Sequence, residues 1–191
     1  MLDFATCAAR EAGLGASIAP REGDAGHAAD LFHGQSFDLI VCHNVLEFVE
    51  DPGAVLRAAS RLMLDGSLLS LLVRTQAGEV LKAALQAGDL AAAEAKLSAE
   101  WGCESLYGGT ARLFQPERVK EMLRQVSLTA AALRGVRVIS DYLPPAISRD
   151  TEYERILALE RKLGSRPEFA AAARYAQFLV RRAASEPERR S

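Results

Sequence analysis

Apolar positions recur along this chain in two rhythms, one of helical and one of strand period. Leu2, Ala5, Ala9 and Ala12 share one helical face, and Gly13 or Gly15 closes that helix. Residues 17–21 read as a short strand weakened by Pro20, and residues 28–32 as a helical turn. Residues 37–42 (FDLIVC) form a short β-branched apolar run, which predicts a buried strand of a parallel sheet. Over residues 51–63, Val55, Leu56, Ala59 and Leu62 make one apolar stripe, with Asp51 and Pro52 suited to its start. Gly66 turns the chain into a second buried strand at 67–73 (SLLSLLV).

The rhythm is helical and Ala-rich from 78 to 101, with a break at Gly88, and loop-like from 102 to 111. A helix is predicted at 115–126, with Pro116 near its start. A strand follows at 129–139, ending in VRVIS, and Pro144 and Pro145 stop it. Residues 151–163 predict a helix with Tyr153, Ile156, Leu157 and Leu163 on one face, and residues 175–181 (YAQFLVR) a last strand. Strand, helix, strand in the first half predicts an α/β sheet with crossover helices. The later strands would pair at one edge.

Composition narrows the class. A chain of 191 residues, 49% hydrophobic and 25% charged, suits one globular domain. We expect that domain over 1–185 and a disordered tail over 186–191. The three cysteines, Cys7, Cys42 and Cys103, form no CxxC pair, which argues against a zinc ribbon or a disulfide scaffold. His27, His33 and His43 match no zinc spacing, so no metal is expected. There is no apolar run of about 20 residues and no basic-then-apolar leader, so the expected setting is cytoplasmic, away from membranes. Charge is uneven: residues 1–111 carry −8 and residues 112–191 carry +6. Such a half is either a polyanion-binding face or a set of solvated Arg-rich helices.

Three constellations could carry chemistry. Asp24, Ala25 and Gly26 lie in a loop before the first parallel strand. An acid there can accept hydrogen bonds from a ribose or an adenine amine, or serve as a turn residue. His43 ends the FDLIVC strand, at the edge where ligands of open α/β sheets bind; it faces a ligand or is satisfied by backbone. Close by, Glu47 reads as a helix-start acid in preference to a general base. Arg137 and Asp141, four apart on a predicted strand, form either a pair at a substrate entrance or an internal salt bridge. No GxSxG nucleophile elbow occurs, and no residue is assigned a catalytic role.

The stretch GDAGHAADLFHGQSFDLIVCHNVLEFVEDPGAVLRAASRLMLDGSLLSLLV resembles the middle of a class I S-adenosylmethionine-dependent methyltransferase. CHNVLEFVEDP, GVRVISDYL and ARYAQFLVRR resemble, more narrowly, the bacterial tRNA 5-carboxymethoxyuridine methyltransferases, which methylate the carboxylate of a modified wobble uridine. The resemblance implies a Rossmann-like α/β sheet with flanking helices and S-adenosylmethionine as cofactor. It puts Asp24, Ala25 and Gly26 by the adenine and His43 by the methionine or sulfonium end. It puts Arg74, Arg137, Asp141, Arg174 and Tyr175 on the substrate side, and implies tRNA as partner. Two departures change the picture. Arg74-Thr75 stands where the family often has Tyr-Asn. The Gly-rich GxGxG loop and the family's first two strands have no counterpart, so the FDLIVC strand is expected to show an open edge, and cofactor binding by these residues alone is expected to be weak or absent. A partner chain or an oligomer would cover that edge. Two alternatives stay open: an inactive methyltransferase-like binding subunit, and a methyltransferase acting on a small molecule such as a quinone precursor.

Overall fold

The computed structural model describes residues 2–104 and 108–183; the expected tail at 186–191 lies outside them. Helix α1 (Leu2–Glu11) buries only Ala9, and Gly13, at φ +70°, ends it. Residues 17–21 form no strand. A strand exists only when a neighbour takes its N–H and C=O groups, and none of the described residues does so here. A 3-10 turn, Ala25–His27, leads into α2 (Ala28–Leu31), close to the predicted helical turn.

Strand β1 (Phe37–His43), helix α3 (Pro52–Leu62) and strand β2 (Met63–Arg74) follow, as the alternation predicts. β1 and β2 are parallel. Their register slips between Phe37↔Met63 and Leu39↔Leu68, which leaves residues 64–67 as a bulge around Gly66 at φ +88°. Next come α4 (Gln76–Leu81), a π-type turn (Lys82–Gln86) and α5 (Leu90–Ala95), broken at Gly88 as expected. The segment read as a loop instead holds a small antiparallel ladder, β3 (Trp101–Cys103) with β4 (Thr110–Arg112). Helix α6 (Pro116–Arg124) leads to β5 (Leu128–Val136). β5 stops short of the predicted Ile139 because Arg137 sits at φ +57°, which no strand residue adopts. Helices α7 (Tyr153–Gly164) and α8 (Pro167–Ala170) precede β6 (Tyr175–Arg182).

The sheet order is β1-β2-β6-β5, with β6 antiparallel to both neighbours. The carboxyl ends of β1, β2 and β5 and the start of β6 therefore lie along one edge. One face of the sheet is a closed core. There Cys42, Leu69, Leu71, Val73, Ala176 and Phe178 pack with Val55, Leu56 and Ala59 of α3 and Val119 and Leu123 of α6. The apolar stripe predicted for α3 is the one it buries.

The opposite face follows from strand alternation and register. It carries Leu39, Val41 and His43 of β1, Ser70 and Leu72 of β2, and Gln177 and Leu179 of β6. Leu39 and Val41 are 56% and 58% exposed, so the FDLIVC strand is buried on one face only. Among the described residues β1 pairs with β2 alone, and its outer edge is open as expected. α7 lies toward the β5 side of the sheet. Of its predicted apolar face, Tyr153 is exposed and Ile156, Leu157 and Leu163 are half-buried.

Candidate functional site

Arg74 ends β2 at the carboxyl edge of the sheet, and it is 5% exposed. A buried guanidinium must find acceptors. Arg74 Nε donates to Glu79 Oε1 at 2.8 Å, Nη1 to Glu104 Oε2 at 3.1 Å and Nη2 to the Cys103 carbonyl at 3.0 Å. Glu79 comes from the first turn of α4, which Thr75 caps by accepting the Gly78 N–H at 2.9 Å. The Thr75 hydroxyl donates in turn to the Ala173 carbonyl at 2.5 Å, which ties α4 to the entry of β6. Gly78 permits this approach: a Cβ there would lie 2.6 Å from Arg174 Cα.

Arg174, also 5% exposed, reaches the same Glu79 oxygen, and its Nε lies 3.8 Å from Asp141 Oδ2. Arg137 closes the chain by donating to Asp141 Oδ1 from Nε at 2.7 Å. The guanidiniums of Arg137 and Arg174 lie 5.8 and 6.0 Å from the Tyr175 ring centroid. Lys96 Nζ approaches Glu79 Oε2 at 3.8 Å. Burial alone would raise the Glu79 carboxyl, but the Arg174, Arg74 and Lys96 charges outweigh it and hold Glu79 below the ordinary carboxylate value.

All five residues expected on a substrate side, Arg74, Arg137, Asp141, Arg174 and Tyr175, thus belong to one network. Its inner members are occupied by each other, and Arg137 faces outward, its side chain 52% exposed. The Arg137–Asp141 pair is made, but by a turn after the strand and not by a shared strand face. Glu79, the hub, escaped the sequence reading. An acid in the first turn of an Ala-rich helix reads as a dipole acid, and only its distance of five from Arg74 hints at more.

Glu47 is neither a helix-start acid nor an exposed base. It sits in a turn five residues before α3 begins at Pro52 and is 1% exposed. Its Oε1 accepts the Arg74 backbone N–H at 2.6 Å, while Oε2 is buried with no hydrogen-bond partner. Burial raises its carboxyl above the ordinary value, against the backbone N–H and Arg74. Burial and the Glu47 charge together push the Cys42 thiol up to about 11. A raised carboxyl makes folding less favourable as pH rises past the unfolded value of about 4.3. Glu47→Gln is therefore expected to be the more stable protein at pH 8. Below pH 4 the two should coincide in urea unfolding.

The cofactor-side residues lie apart from this network. Asp24 caps the 3-10 turn by accepting the Gly26 N–H at 2.7 Å, and its carboxylate stays largely exposed. The turn docks on the start of α3, where a Cβ on Gly26 would lie 3.3 Å from Ala54 Cβ. His43 is exposed on the open sheet face, with Nε2 2.8 Å from Ser70 Oγ; the Gln177 amide also donates to that oxygen, at 3.0 Å. Asn44 follows at φ +52°. By residue type the exposed Asp24 carboxylate, whose Oδ1 accepts the Gly26 N–H and lies 3.5 Å from His27 Nδ1, suits a purine amine at its other oxygen, and His43 suits the flank of a cationic ligand. Among the described residues no glycine-rich loop of free amides accompanies them, so they fit part of S-adenosylmethionine and not its amino-acid end. Also among the described residues, no cluster of three His, Cys, Asp or Glu is placed to hold a metal, and no helix is long and apolar enough to cross a membrane.

A parallel β-α-β unit with its candidate residues on the carboxyl edge, extended by an antiparallel pair, defines a Rossmann-like α/β protein. The profile of a methyltransferase domain family matches residues 6–133, and the chain belongs to that family. Solved structures share the fold. The [4+2]-cyclase SpnF is 16% identical, with TM-score 0.56, over 96% of this chain and 63% of that one. An O-methyltransferase family protein from Burkholderia thailandensis is 15% identical, with TM-score 0.54, over 96% of this chain and 41% of that one. An S-adenosylmethionine-dependent methyltransferase from Clostridium acetobutylicum is 12% identical, with TM-score 0.53, over 95% of this chain and 71% of that one. The chain thus spans less than two thirds of the first two. No curated protein matches it in sequence.

Proposed function

We propose that this chain carries the acceptor side of an S-adenosylmethionine-dependent methyl transfer, and that the acceptor is the carboxylate of a modified wobble uridine in tRNA. The observation that carries the reading is the convergence of Arg74, Arg137, Asp141, Arg174 and Tyr175 at the carboxyl edge of the sheet. The family match to a methyltransferase domain and the +6 charge of residues 112–191 support it.

A carboxylate is already a nucleophile at pH 7, so the protein's work is to bind and orient it and to exclude water. The cofactor, when bound, supplies a methyl group activated on sulfur. Asp24, Ala25 and Gly26 would hold its adenine, and His43 would stand by its sulfonium end. Arg137, half-exposed and anchored on one side by Asp141, offers its remaining N–H groups to the acceptor carboxylate. Arg74 and Arg174 are positioning residues, fixed by Glu79 and Glu104, and they keep the edge cationic.

The test is transfer of a tritiated methyl group to total tRNA by the full chain, with S-adenosylmethionine supplied at high concentration to offset the weak binding expected of these residues alone. Base-labile label in tRNA is expected, with Arg137→Ala lowering incorporation at least tenfold. Label confined to small organic acids would replace the tRNA reading by the small-molecule one. No label in either fraction would overturn methyl transfer by this chain and favour a binding role.

A further inference from the structure

A cavity lies under α7 and meets the network at Arg137. Helix α7 touches the sheet side of the protein at two places. At its carboxyl end Gly164 packs directly on the Gly135 carbonyl of β5, with no room for a side chain. In its middle, Glu160 accepts three successive backbone N–H groups, from Val138 at 2.8 Å, Ile139 at 3.0 Å and Ser140 at 2.8 Å. These anchors hold the helix off the ends of β5 and β6 and leave a cavity of about 390 Å³ between. That volume lies within the range of small-molecule sites.

The lining has two chemistries. Val136, Ile156, Leu157 and Tyr153 make an apolar and aromatic wall. Arg134 and Arg161 also line the cavity; both are exposed, and neither forms an ion pair with any described residue. The other charged groups of the lining already have protein partners: Arg137 donates to Asp141 and keeps only its outward N–H groups, and Glu160 accepts the three backbone amides. Gln177 spends one N–H on Ser70. Two guanidiniums without counter-ions at an apolar cavity match a ligand with a flat apolar body and one carboxylate.

We propose that this cavity binds a small aromatic carboxylate, with its ring against Tyr153, Ile156 and Leu157 and its carboxylate between Arg134 and Arg161. The cavity shares Arg137 with the proposed acceptor edge, but Arg134 and Arg161, which carry this proposal, have no part in the methyl-transfer reading.

The experiment is calorimetric titration of the full chain, without cofactor, with 2-naphthoate and with its neutral isostere 2-naphthamide. Naphthoate should bind at least tenfold more tightly. The double variant Arg134→Gln, Arg161→Gln should erase that preference and leave naphthamide binding unchanged. Arg181→Gln, an exposed arginine on β6 that does not line the cavity, should change neither. Equal binding of the two ligands, no binding of either, or a preference that survives the double variant would overturn the proposal. Because no methyl is transferred, either result leaves the tRNA assay to be judged separately.

Discussion

Glu79→Gln is expected to destabilise the protein by about 3–5 kcal/mol at pH 7, the usual cost of removing one partner from a buried ion pair. The substitution keeps the shape of the side chain and removes its charge. Arg74 and Arg174, each 5% exposed, then share a low-dielectric site with Lys96 and lose the anion both of them touch. Glu104 and Asp141 remain, but each contacts only one of the two arginines at this point of the network. Urea unfolding monitored by circular dichroism should show the lowered midpoint. The pH dependence checks the cause. Because Glu79 is held below the ordinary carboxylate value, its contribution is fully present above about pH 4.3 and is lost as pH falls through its lowered folded value. The gap between wild type and variant should therefore be constant from pH 5 to 8 and close on acidification. A gap that persists unchanged at pH 2 would place the defect in packing. Replacing the whole triad by Arg74→Met, Glu79→Leu and Arg174→Met should cost less than Glu79→Gln, since both deeply buried guanidiniums leave with their anion, Asp141 keeps Arg137, and the less buried Lys96 and Glu104 each lose one contact.

The same network shows how far the sequence could be read. β1, β2 and β6 were legible as FDLIVC, SLLSLLV and YAQFLVR because each is dominated by apolar residues, but only one face of them packs on α3 and α6: Leu39 and Val41 of β1 stay exposed. Residues 17–21 failed for the opposite reason: strand character is conferred by a neighbour, and local residues cannot announce that one is lacking. The β3–β4 ladder is three residues a side and leaves no periodicity to detect. At VRVIS the β-branched residues argued for a strand, while a single backbone angle at Arg137 ended it. That turn, and not a strand, sets Arg137 on Asp141. The candidate site residues came from resemblance to a family. What resemblance could not supply was their wiring, because the hub Glu79 and the cap Thr75 act through contacts with residues about 95 to 98 positions away.

Gly164→Ala should have the second-largest effect, and a local one. On helix propensity alone the change gains about 1 kcal/mol. The new methyl, however, falls on the Gly135 carbonyl oxygen, and Gly135 is itself hemmed in: a Cβ there would lie 2.8 Å from Ala170 Cα and 2.8 Å from Ala173 Cβ. Backbone meets backbone, so no side chain can swing aside, and overpacking of this kind costs about 1–3 kcal/mol. α7 has little with which to resist. Its apolar face is only half-buried, and its remaining anchor is the Glu160 carboxylate on the 138–140 amides. The helix is therefore expected to lift from β5 while the core on the other face of the sheet stays closed. Amide hydrogen exchange should separate the two outcomes. Protection over residues 153–164 should fall by at least tenfold, with that of β2 and β6 unchanged, and the preference for naphthoate over naphthamide should disappear with it. Uniform loss of protection across the sheet would show instead that α7 and the core unfold as one unit, which its sparse burial argues against.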